Sequence, residues 1–140
     1  MKTYALRLHP GDDLMLALDS FVEKQRMEAA CVLTCVGSLQ KAVLRFANQE
    51  QSAVLEGKFE IVSLTGVVSI HGSHYHIAIS DGEGRTIGAH LMEGSKIYTT
   101  AEIILAELED LRLLRTFDPQ TGYPELDIQS DQLKGINHVT

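Results

Sequence analysis

The chain has 140 residues, 44% of them hydrophobic, and a net charge of −7 from 12 basic and 19 acidic side chains. That length suits one domain with a real core, and its scattered lysines and arginines form no basic run of the kind that phosphate neutralisation requires. Apolar runs such as Ile103–Ala106 are far too short to span a bilayer, and the N-terminus lacks a signal-peptide pattern, so the expectation is a cytoplasmic protein with no membrane contact.

Lys2–Leu8 alternates as a strand does, and His9-Pro10-Gly11 stops it before Asp12 and Asp13, which offer a helix N-cap. A helix is predicted from there to about Met27, with Leu14, Leu18, Phe21, Val22 and Gln25 on its core-facing stripe. Strands are expected at Ala30–Val36 and Lys41–Ala47, joined through Gly37-Ser38. Cys31 and Cys35 share the first of these. Their Cα atoms would lie about 13 Å apart along an extended strand, beyond the limit of about 7 Å for a disulfide, so both are read as reduced thiols. Asn48–Ser52 reads as loop and Lys58–Leu64 as strand, continuing through Thr65-Gly66 into a histidine-rich segment.

That segment carries the chemistry. Gly72-Ser73 separates two β-rich runs and reads as a two-residue hairpin loop. Such a loop sets His71 opposite His74 and Ser69 opposite His76, while Val68, Ile70, Tyr75, Ile77 and Ile79 point to the other face. A following turn over Asp81–Arg85, with Gly84 in the left-handed position, pairs His76 with His90. His74, His76 and His90 then share one face. Directly opposite Cβ atoms lie roughly 4.5–5.5 Å apart, so three imidazoles can converge on one divalent ion; zinc suits nitrogen donors, and three histidines leave a fourth position open. Gly82 and Gly84 lie between strands without a helix N-terminus to follow, so they are turn residues and not a phosphate loop.

For Lys96–Glu109 a capping-box pattern, Thr99-x-x-Glu102, competes with β-branched content, and strand is favoured. Leu111–Phe117 reads as a further strand. The tail from about residue 118 is expected to be partly irregular, and its last ten or so residues disordered.

Taken together, Gly57-Lys58-Phe59-Glu60-Ile61, the His74-x-His76 pair and Gly88-Ala89-His90 resemble the PPC domain (plants and prokaryotes conserved) over roughly residues 1–117. Lys58 stands where plant members carry arginine, and Ala89 departs from a Gly-Gly-His form of bacterial members. The resemblance implies an α+β fold, a mainly antiparallel sheet flanked by helices, and assembly as a homotrimer. It also implies that His74, His76 and His90 are the positions that match metal-holding histidines in some prokaryotic members. Plant members enter the DNA minor groove through a separate AT-hook that has no counterpart here, so the DNA-binding label carried by bacterial members transfers poorly to so acidic a chain.

Three functions follow as expectations. The first is a trimeric regulatory module whose histidine face holds zinc or another divalent transition metal, with Glu60, His71 and Arg45 as ligand- or partner-binding residues. The second is a metal-dependent enzyme using Glu60, Glu93 or His71 as base to a metal-bound water. The third is DNA binding by the trimer through Arg45, Lys58 and Arg85.

Overall fold

The computed structural model describes residues 1–130. Expected disorder in the last ten residues lies outside that range. Along the chain run β1 (Lys2–Leu8), α1 (Leu14–Gln25), β2 (Ala30–Arg45), β3 (Ala53–Ser69), β4 (Gly72–Ser80), β5 (Thr86–Leu91), β6 (Lys96–Glu107), β7 (Leu111–Asp118) and β8 (Tyr123–Ser130). Six of the strands form one antiparallel sheet in the order β1-β6-β2-β3-β4-β5, while β7 and β8 pair as a separate hairpin.

The six-stranded sheet curls until its far edge meets its middle. Leu44 and Arg45 of β2 pair with Leu91 and His90 of β5, so β2, β3, β4 and β5 close on themselves. Inside lie Leu39, Leu44, Tyr75, Ile77, Ile79, Ile97 and Leu105, all essentially buried. α1 covers this core with Leu14, Leu18 and Val22, which recur at the four-residue spacing of one helix face. Asp13 caps it, accepting from the Leu16 amide at 3.1 Å, and Arg26 ends it in the left-handed conformation.

Among the described residues α1 is the one α-helix, so the expected flanking helices reduce to one. Lys96–Glu107 is a strand, as its β-branched content predicts; it lies between β1 and β2, where two ladders outweigh a local capping box. The predicted connection at Gly37-Ser38 is instead interior to a single 16-residue β2. Glycine there serves close approach: a Cβ on Gly37 would sit 2.2 Å from the Thr100 carbonyl oxygen of β6. The tail from about residue 118, expected to be partly irregular, turns over residues 119–122 and continues as β8 (Tyr123–Ser130).

The turn between β3 and β4 falls at Ile70-His71, two positions before the Gly72-Ser73 loop predicted for it. Ser69 pairs with Gly72, Val67 with His74 and Thr65 with His76. Relative to the expected register the partners move by four residues, an even number, so no side chain changes face. Tyr75, Ile77 and Ile79 still point into the core.

Candidate metal centre

β4 carries His74 and His76 two residues apart, hence on one face, and their intervening neighbour Tyr75 is buried on the other. The Asp81–Arg85 turn closes as the sequence predicts. The Gly84 amide donates to the Asp81 carbonyl at 3.0 Å, Gly84 has φ +80, and the Asp81 amide donates to the Arg85 carbonyl at 3.0 Å. That turn sets the register Ile79 to Ile87 and His76 to His90.

Three imidazole nitrogens converge as a result. His74 Nε2 and His76 Nε2 each lie 3.1 Å from His90 Nδ1, and one ligand atom from each residue falls within 4.8 Å of the others. Zinc held at about 2.0–2.1 Å with tetrahedral angles separates its nitrogen ligands by roughly 3.4 Å. The cluster fits such an ion with small rotations of the rings, and the donor set, three imidazole nitrogens, suits a divalent transition metal.

Burial and nearby positive charge shift two of these rings, His74 and His90, toward the neutral form. Burial lowers the pKa of His74 from the ordinary value, with His76 and the Arg115 and Arg45 guanidiniums adding to the effect and Glu125 opposing it. Burial likewise lowers that of His90, followed by Arg45 and the two other histidines. A neutral imidazole is the form that ligates metal.

Beside the cluster a cavity of about 390 Å³ is lined by Arg45, Ala47, Ser63, Thr65, His76, Ile77, Ala78, Gly88, Ala89 and His90. Of the other residues singled out from sequence, Arg45 stands on this wall as the register partner of His90. Glu60 lies elsewhere, on a second cavity with Ser38, Tyr98 and Thr99. His71, in the β3–β4 turn, has its Nε2 3.0 Å from Glu28 Oε2. Glu93 falls in the turn between β5 and β6. Lys58 Nζ sits 4.7 Å from the centre of the Tyr98 ring, and Arg85 pairs with Asp81 and Glu83. Sequence reasoning passed over Ser63 and Thr65, whose signal was the true β3–β4 register, and Arg115 and Glu125, which the β7–β8 hairpin brings within electrostatic reach of His74.

Over the described residues, fold and cluster define a one-helix, mainly antiparallel β domain with a three-histidine centre on the outer face of its sheet. The chain belongs to the Plants and Prokaryotes Conserved (PCC) domain family, whose domain matches residues 1–109. It is 46% identical over 129 residues to the bifunctional protein GlmU of Synechococcus sp. (strain JA-3-3Ab), a match that takes in 92% of this chain and 21% of that protein. The chain thus spans about a fifth of the length of this curated relative. A hypothetical protein from Salmonella enterica superposes with a TM-score of 0.90 at 40% identity, covering 93% of this chain and 94% of the other. A protein from Archaeoglobus fulgidus described as metal-containing superposes with a TM-score of 0.77 at 28% identity, covering 90% and 93%. No described helix is long and apolar enough to cross a membrane.

Proposed function

We propose that this chain is a metal-binding regulatory module, acting in the cytoplasm as a homotrimer, in which His74, His76 and His90 hold one divalent transition metal, zinc before others. The observation that carries this reading is the convergence of three imidazole nitrogens with 3.1 Å spacings. A metal-containing structural relative at 28% identity supports it. For assembly the supporting feature is a set of large apolar side chains left exposed on β2 and β3, namely Leu33, Val36, Val54 and Val62, which association would cover.

Binding is favoured over metal-dependent catalysis because, among the described residues, no carboxylate lines the cavity beside the cluster. Glu60, Glu93 and His71 lie elsewhere, and Glu125, which acts on His74 from the β7–β8 hairpin, is not among the residues lining that cavity. Glu60 and His71 are better read as contacts for a partner. A protein partner is favoured over DNA, since Arg85 is neutralised by Asp81 and Glu83 and the chain is acidic overall.

Elemental analysis of protein purified without a nickel column tests the metal. One ion per chain is expected, lost in His76→Ala. Metal-free protein that takes up no zinc, or undiminished metal in the variant, refutes the reading. Light scattering coupled to gel filtration tests the assembly, with three chains expected and a monomer refuting it.

A further inference from the structure

Resting on the reading of His74, His76 and His90 as metal ligands, we propose that the adjoining cavity takes a small organic carboxylate, its anionic head between the metal's open position and Arg45.

Charge is the first argument. The three histidines are neutral ligands, so a divalent ion among them keeps its whole charge. Arg45 is the cross-strand partner of His90 and adds a further positive charge on the same wall. Among the described residues Arg45 has no carboxylate within ion-pair distance; its guanidinium donates one long bond, 3.5 Å, to the Gln49 carbonyl. None of the described cavity-lining side chains is acidic. Two positive centres facing one open space attract an anion, and a planar guanidinium matches the two oxygens of a carboxylate.

Shape and lining are the second argument. Ala47, Ala78, Gly88 and Ala89 make one part of the wall small and apolar, and Ile77 contributes to it. An inorganic oxyanion would leave that surface wet, whereas a short hydrocarbon body would cover it. The hydroxyls of Ser63 and Thr65, on β3 beside His76, make no side-chain hydrogen bond among the described residues and are open to a second polar group on the ligand. At about 390 Å³ the cavity holds a ligand of a few carbons.

Cobalt(II) substituted for zinc reports on both steps through its visible absorption. Titration of the intact cobalt-loaded protein with propionate should give a saturable spectral change, with phosphate and chloride giving a weaker one. Arg45→Gln should still take up one cobalt per chain, because the substitution removes a repelling charge, yet bind propionate at least about tenfold more weakly, as expected for loss of a charge-assisted bond. Failure to take up cobalt overturns the metal reading and this proposal with it. Cobalt uptake with no response to propionate overturns the proposal alone. So does a response that phosphate or chloride matches, or one that Arg45→Gln leaves unchanged.

Discussion

Gly66 is where the scaffold behind the metal centre is most vulnerable. It opposes Tyr75 in the β3–β4 ladder. A Cβ added there would lie 2.2 Å from Tyr75 Cδ1 and 2.8 Å from Cε1, and 3.3 Å from the His74 carbonyl oxygen. The ring cannot yield freely, because Tyr75 is 2% exposed and its hydroxyl donates to Asp19 Oδ1 at 2.9 Å. Asp19 Oδ2 in turn accepts from Ser73 Oγ at 3.1 Å. Gly66→Ala must therefore overpack the core, at about 1–3 kcal/mol, and strain or break a hydrogen bond to a partly buried carboxylate, at about 1.5–3 kcal/mol. We expect a loss of about 3–5 kcal/mol, a large share of the roughly 5–15 kcal/mol that such a domain has in total. In urea the midpoint should fall by on the order of 2 M with little change in slope. Because Tyr75 lies between His74 and His76 on β4, the displaced strand should also carry the two imidazoles out of register with His90 and weaken metal uptake. A double-mutant cycle isolates the clash: in a Tyr75→Ala background, adding Gly66→Ala should cost below about 1 kcal/mol. A single variant within about 0.5 kcal/mol of the parent, or equal costs in both backgrounds, would refute the steric argument.

Asp13→Ala should destabilise by about 1–3 kcal/mol in the same urea assay, combining loss of the helix cap with an orphaned, partly buried amide. Its carboxylate accepts from the Leu16 amide at 3.1 Å and the Gly94 amide at 2.7 Å, and lies 3.5 Å from Lys96 Nζ. Asp13→Asn should restore part of the loss. The metal-free protein should lose thermal stability as pH falls from neutrality. His74 and His90 have folded pKa values below the ordinary one, so between those values and the unfolded value of about 6.5 the unfolded chain binds more protons. Stability contributed above pH 6.5 or so is thus lost as pH falls through the folded values. A thermal midpoint that stays level across this range, or an equally steep loss in a His74→Ala, His90→Ala double variant, would contradict this.

Period and parity carried most of what was readable in the sequence. Alternation assigned Tyr75, Ile77 and Ile79 to one face and the histidines to the other, and the Asp81–Arg85 turn, with its left-handed Gly84, fixed His76 against His90. These relations survived a hairpin turn two positions from where it was expected, because an even shift leaves every side chain on its own face. Local pattern failed where long-range packing overrode it. Gly37 reads as a turn glycine in isolation, yet it lies within β2 because β6 passes too close for a side chain. The same holds for Lys96–Glu107, whose capping-box spacing is a property of four residues while its strand state is set by ladders on both sides. Which charges meet the three rings was decided by tertiary structure alone. Arg45 is 45 residues from His90 in the chain and reaches it only because β2 closes onto β5. Arg115 and Glu125 act on His74 from a hairpin outside the main sheet. Strand periodicity says which way a side chain points, but the neighbours it then finds depend on how the sheet curls, and curvature is a property of the whole packed assembly of strands.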